Sequence, residues 1–318
     1  MAAREFTDQE IEWLVRDLES LLEGSLSAAA LVGCGPRAIA PLRSFLLEGR
    51  PRGIYQPRQL AVETLGQLGA KDVLIEYLSR PVAIEDAVVR HGEDAVRSTA
   101  ARELARWHTD DVFECLTRLG MDHLLPGIVD ALATFRRTEA MPYFLWALGD
   151  GVCRSHAAEA IRGLDAAGRP FLVEAAGKRN PSAEEEIPSS LQRRRWALRI
   201  LSELKIPEES WVALRDLLDE DDPEIVITTA RIGLEVAPMP DRWRAIHRLI
   251  EMLPRADSFV CSEARAALAD HFDIAQEAVE DEIARRMKVD RREQALDVVL
   301  RLLVNLRNQV LAVGRTQR

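Results

Sequence analysis

The side chains that could do chemistry are spread thinly along the 318 residues. Gly33-Cys34-Gly35-Pro36-Arg37-Ala38 fits the G-x-G-x-x-A spacing with which a strand–turn–helix unit cradles a dinucleotide pyrophosphate. The residues before it, Ser27 to Val32, are alanine-rich rather than β-branched, and Pro36 stiffens the loop. The motif therefore reads as a turn between two helices. Six histidines stand apart, at positions 91, 108, 123, 156, 247 and 271. A metal centre needs several imidazole and carboxylate ligands converging from facing helices, and the spacing offers no such set. No metal and no other cofactor is expected. Ser, His and Asp are scattered without a G-x-S-x-G elbow, so no catalytic residue is assigned. Cys34, Cys115, Cys153 and Cys261 form no C-x-x-C pair and sit among Ala, Leu or Val, where a reduced thiol behaves as a small hydrophobe. A reducing cytoplasm is the expected setting.

Two arginine clusters could meet phosphate: Arg193-Arg194-Arg195, and Arg285-Arg286-Met287-Lys288 with Arg291-Arg292. Acidic runs lie close to them, Glu184-Glu185-Glu186 and Asp219-Glu220-Asp221-Asp222, and 52 acids outnumber 42 bases for a net charge of −10. A protein that holds nucleic acid or an anionic membrane by global charge would be basic. The clusters read as solvated helix faces, and nucleic acid is not the expected partner. No stretch approaches the roughly 18 uncharged apolar residues of a membrane span. Met1 to Glu23 lacks the basic leader and apolar core of a secretory signal.

The elements that must position these residues are helices. Thr7-Asp8-Gln9-Glu10 matches a capping box ahead of Ile11, Leu14, Val15, Leu18, Leu21 and Leu22 at helical spacing, so residues 1–24 form an N-terminal capping helix. Beyond it the chain repeats. Ala61, Leu65 and Leu68 lead through a glycine turn to Val73, Leu74, Tyr77 and Leu78; Ala100, Leu104 and Trp107 lead to Val112, Cys115 and Leu116. Copies follow at Ile128/Leu132, Ala157/Ile161, Ala197/Leu201 and Ala230/Leu234, with weaker ones at Ala29, Ala264 and Ala295. The anchors Gly33, Leu65, Leu104, Leu132, Ile161, Leu201, Leu234, Leu268 and Val299 are 28 to 40 residues apart, as suits stacked helical hairpins. Two long gaps carry insertions, near 79–94 and 178–191. Alanines at 61, 100, 157 and 197 let helices approach while leucines fill the grooves. Asp222-Pro223-Glu224 orders an N-cap, a first-turn proline and a dipole-matched acid, and Gly69, Gly120, Gly149 and Gly177 lie where helices should stop.

The pattern A-x-x-x-L-x-x-L/W-x(3–5)-V/A-x-x-x-L resembles HEAT repeats, especially the short bacterial type also found in phycobilin lyases, from Ser25 onward. The resemblance implies an all-α fold: one right-handed α-α superhelix over residues 1–318, a solenoid of about nine hairpins whose second helices line a concave face. Such surfaces most often hold another macromolecule. Deoxyhypusine hydroxylases are HEAT-like and hold iron through His-Glu dipeptides, but Arg90-His91-Gly92-Glu93 and Arg154-Ser155-His156-Ala157-Ala158-Glu159 contain no adjacent His-Glu. HEAT-like DNA alkylation glycosylases are similar in architecture only.

Tryptophan and arginine dominate binding hot spots because each covers a large area and offers a polar handle. Trp107 and Trp196 fall in first helices, and Trp107 holds a core position. Trp146, Trp211 and Trp243 fall in second helices, near Tyr143, Arg215, Arg244, His247 and Arg248. For Trp211 and Trp243 two readings stay open, inter-repeat core or groove surface. The candidate binding set is Tyr143, Trp146, Trp211, Arg215, Trp243, Arg244 and His247. The expected function is a non-enzymatic scaffold that binds a protein or peptide in its concave face. The alternative is a glycosylase-like or bilin-lyase-like enzyme using the same groove. The oligomeric state is not legible in the sequence.

Overall fold

A computed structural model describes residues 6–20, 22–81, 83–182, 185–254, 257–288 and 297–316. Helix formation begins at the predicted capping box. The Thr7 hydroxyl accepts from the Glu10 backbone N–H, and the Glu10 carboxylate accepts from the Thr7 N–H at 2.8 Å. The chain then divides into two compact units, Met1–Leu164 and Asp165–Arg318.

The first unit holds α1 (Asp8–Asp17), α2 (Gly24–Gly33), α3 (Ile39–Glu48), α4 (Gln56–Gln67), α5 (Lys71–Ser79), α6 (Ala87–Leu104), α7 (Asp110–Asp122), α8 (Pro126–Phe135), α9 (Met141–Leu148) and α10 (Arg154–Arg162). The even-numbered helices pack each on the next, from α2 through α10, and the odd-numbered ones do the same from α1 through α9. The result is two layers with the apolar residues between them, Leu31, Leu65, Leu104, Leu132 and Ile161 among the fully buried. The Gly33–Ala38 motif is the turn joining α2 to α3. Residues 27–32 are helical, and Gly35 adopts a left-handed φ of 66° that glycine tolerates.

The second unit holds α11 (Arg169–Gly177), α12 (Pro188–Leu204), the short α13 (Trp211–Leu214) continued by a 3₁₀ turn to Asp219, α14 (Pro223–Val236), α15 (Met239–Met252), α16 (Ser258–Asp270), α17 (Phe272–Arg286) and α18 (Val298–Thr316). Here α12, α14, α16 and α18 form one layer, and α11, α13, α15 and α17 the other. Asp222 caps α14 through the Ile225 N–H at 3.0 Å, with Pro223 in its first turn.

Both predicted insertions do two things. Residues 80–81 and 83–86 are loop, and 181–182 pair antiparallel with 185–186, Pro181 opposite Glu186 and Ser182 opposite Glu185. Each also precedes an unusually long first helix, 18 residues in α6 and 17 in α12 against 9 to 12 in α4, α8 and α10. One expected helix stop is corrected. Gly120 lies inside α7, where the Tyr143 ring packs so closely that an added Cβ would sit 3.0 Å from it. Its small size serves helix packing rather than termination. The Ala295 copy and Arg291-Arg292 lie outside the described residues. Among the described residues, no helix is long and apolar enough to cross a membrane.

Candidate functional site

The most regular polar feature is an arginine that the sequence reading passed over. Arg58, Arg97, Arg154 and Arg194 each stand seven residues before the anchor of their repeat, Leu65, Leu104, Ile161 and Leu201. Each reaches back to the free carbonyls ending the preceding odd-numbered helix. Arg58 donates to Leu46 O and Gly49 O at 3.0 and 3.3 Å, and Arg97 to Leu78 O and Arg80 O at 2.6 and 3.2 Å. Arg154 donates to Leu148 O at 3.1 Å and Arg194 to Ala176 O at 2.8 Å. A cation at a helix C-terminus satisfies orphan carbonyls and opposes the negative end of the dipole. In the α7–α8 repeat the equivalent position is Leu125, and Tyr143 from α9 substitutes. Its hydroxyl accepts from the Leu125 N–H and lies 3.3 Å from His123 O.

Two of these arginines, Arg58 on α4 and Arg194 on α12, carry buried ionic networks. Arg58 grips the Glu93 carboxylate bidentately at 3.1 and 3.0 Å, and the Tyr77 hydroxyl donates to Glu93 Oε1 at 2.6 Å. Burial, with the Glu93 charge adding to it, drives the Tyr77 phenol well above its ordinary value. The Arg58 and Arg97 guanidiniums lie 5.8 and 5.9 Å from the Tyr77 ring centre, and an open cleft of about 340 Å³ adjoins the group. Every polar end of Arg58 and Glu93 is already used, so the group holds helices rather than a ligand. Arg194 pairs with Glu186 at 2.7 Å and Glu220 at 2.6 Å, while Arg195 pairs with Asp222 and Glu224. The first arginine cluster is therefore not a solvated face. Arg194 is fully buried, and Glu186 and Glu220, one from each neighbouring acidic run, are its counterions. In the second cluster, Arg285 and Arg286 both bind Glu282, and Arg286 also binds Asp297. Phosphate would have to displace these carboxylates.

The candidate binding residues divide between the two units. In the first, Tyr143 is 1% exposed and spends its hydroxyl on the α7–α8 cap, whereas Trp146 on the same helix is 45% exposed. Their rings meet edge-on, centres 6.2 Å apart. In the second, Trp211 is 2% exposed, its ring seated on Gly233 and its Nε1–H donating to Asp241 at 2.6 Å. Tyr143 and Trp211 thus belong to the core, with their polar ends partnered. Trp243 is half-buried 6.4 Å from the exposed His247 ring. Arg215 is exposed beside Asp216, and Arg244 pairs with Asp219, tying α15 to the turn after α13. The outward-facing members are Trp146 in one unit, and Arg215, Trp243, Arg244 and His247 in the other. Trp107 is half-buried at the end of a 3₁₀ turn rather than in the core.

Among the described residues no three His, Cys, Asp or Glu side chains converge as a metal would require. His156 instead closes a ladder across three even-numbered helices. Arg102 Nε donates to Asp130 at 2.8 Å, and the other Asp130 oxygen meets His156 Nδ1 at 2.6 Å. All four cysteines are free, and burial, with the Asp150 charge adding to it, pushes the Cys153 thiol up to about 12. No known family profile matches the chain, and no curated protein matches it.

Proposed function

We propose that this chain is a HEAT-like α-solenoid, a right-handed superhelix of about nine hairpins, that binds a protein or peptide partner and catalyses no reaction. The observation that carries the repeat reading is the arginine seven residues before the anchor: four copies do the same physical task at the same position. Each unit alternates its helices between two layers, which is how solenoid repeats bury a face they cannot bury alone. The binding surface is the concave face of the second helices. Trp146 is its anchor in the first unit, and Arg215, Trp243, Arg244 and His247 in the second. An exposed indole packed edge-on against a buried tyrosine is held in one orientation and loses little entropy on binding. Four free thiols suit a reducing, cytoplasmic setting.

The test is site-specific photo-crosslinking in the native host. A photoreactive phenylalanine analogue in place of Trp146 or Trp243 should yield a discrete protein adduct. The same analogue at exposed Glu12 should not. Diffuse labelling from all three positions, or none, would overturn the assignment.

A further inference from the structure

We infer that the cleft formed by residues 44–58 of the first unit docks a partner segment in which one large apolar side chain is flanked by carboxylates. The inference rests on the partner-binding reading above and names the chemistry of that partner.

The connection from α3 to α4 is the starting point. Where α4 reaches α5 through Leu68–Ala70, the chain from Glu48 to Gln56 spends seven residues and leaves two large apolar side chains in solvent, Ile54 at 62% and Tyr55 at 39% exposed. Val88, 69% exposed at the start of α6, extends the same surface, because its Cγ1 lies 3.9 Å from the Cβ position of Gly53. An exposed run of this kind is unusual on a protein surface without a partner. Beneath it lies a cleft of about 520 Å³, with Phe45, Ile54 and Pro57 supplying apolar wall.

The walls are positioned rather than loose. The Tyr55 ring packs on Gly92 in the N-terminal half of the long α6, where a Cβ would come within 3.1 Å. Arg58 pins the floor through Gly49 O and Leu46 O, with its own charge cancelled by Glu93. The repeat irregularity, the buried ion pair and the exposed apolar run therefore meet at one place.

Charge selects the occupant. Apart from Arg58, whose charge Glu93 cancels, the cleft is lined by Arg50 and Arg52 against a single acid, Glu19, in a chain whose overall charge is −10. Arg50 makes no ion pair among the described residues. Arg52 meets Glu19 at 3.4 Å with both side chains largely exposed, a contact worth little and easily exchanged for a partner's carboxylate. Two arginines able to turn toward a ligand, beside an apolar slot, match an apolar side chain bracketed by Asp or Glu.

The experiment uses the full chain and a fluorescein-labelled peptide carrying one Phe between paired Glu residues, read by anisotropy. Saturable binding is expected, weakened at least tenfold by Arg50→Glu/Arg52→Glu, by Ile54→Ser, by replacing the peptide's Glu with Gln, and by raising the salt concentration. Equal binding of the Glu and Gln peptides, no binding at all, or indifference to both variants would overturn the inference. A circular-dichroism melt of each variant checks the fold, and with two independent variants the result stands on whichever keeps the wild-type midpoint. Concentration-dependent self-association abolished by Arg50→Glu/Arg52→Glu would make a second copy the occupant and equally overturn it. Adducts at Trp146 without peptide binding would sink this site alone. Peptide binding without adducts would sink the crosslinking surface instead.

Discussion

A buried arginine can be read from a sequence only by its position, because its composition looks like surface. Arg58, Arg97, Arg154 and Arg194 share one register with the leucine anchors, and that register was there to be found, yet apolar periodicity draws attention to the residues that repeat more often. Arginine clusters likewise read as solvated faces until folding brings Glu186 and Glu220 onto Arg194. Removing one partner of such a pair strands a buried charge. Arg58→Met should therefore destabilise the chain by about 3–5 kcal/mol, measured by urea unfolding. Arg58→Met/Glu93→Met should recover part of that loss, and a single variant as stable as wild type would mean the pair is idle. Glu103 makes the opposite case. It is buried between α4 and α6 with its Oε2 against Gly66; Arg106 comes within 2.9 Å of that oxygen but without hydrogen-bonding alignment. Burial raises its carboxyl above 4.5, Arg106 only partly opposes this, and Glu63, itself raised by burial, adds repulsion. A carboxyl raised in the folded state binds more protons there than when unfolded, so its contribution to stability falls as pH rises through the interval above 4.5 and stays low beyond it. Glu103→Gln should then be more stable than wild type at pH 7, with the advantage fading as pH drops toward 4. Thermal midpoints across that range check the sign, and a variant less stable at pH 7 would show that Arg106 wins.

At the scale of the helices, much was legible. The capping box of α1, the Asp222-Pro223 start of α14, the Gly33–Ala38 turn and the hairpin order all follow from local chemistry that needs no distant contact. What was not legible is how near two helices come, since that depends on which residues of separate repeats meet. Gly120 shows the failure: it has the composition of a stop signal and the role of a packing surface. Gly127 is the sharper instance. It opens α8 against the α6 backbone, where an added Cβ would lie 2.0 Å from Ser98 O and 2.3 Å from Ser98 Cα. No rotamer change relieves a clash with backbone, so the even-numbered layer would have to separate at this crossing. Gly127→Ala should cost about 3 kcal/mol or more, at the upper end of overpacking, even though alanine favours helix. A chemical-denaturation midpoint unchanged from wild type would show that the layer shifts freely. The candidate binding set shows the same divide. Sequence placed Tyr143, Trp146, Trp211 and Trp243 on the right helices, but neither the cap that Tyr143 completes nor the glycine seat under Trp211 has a local signature.

For the whole chain, repetition has a thermodynamic consequence. Where each helix touches only its neighbours in chain order, stability is a sum of local terms, and no single core couples the first repeat to the last. The described contacts fall into two compact units, each with its own pair of layers and its own buried aliphatic residues. Unfolding should accordingly proceed in more than one step, against the all-or-none behaviour of smaller single-core domains. Two glycines serve as independent markers. Gly127 lies in the first unit, and Gly233 in the second, where an added Cβ would meet the buried Trp211 ring at 2.6 Å. Gly127→Ala should lower one transition in a urea titration followed by far-ultraviolet circular dichroism, and Gly233→Ala the other. Tryptophan fluorescence assigns the steps, because Trp13, Trp107 and Trp146 report on the first unit and Trp196, Trp211 and Trp243 on the second. Replacing the first three by phenylalanine leaves a signal from the second alone, which should follow Gly233→Ala and ignore Gly127→Ala. A single transition displaced equally by both substitutions would mean that coupling between repeats exceeds the stability of either unit, and the local-sum description would fail.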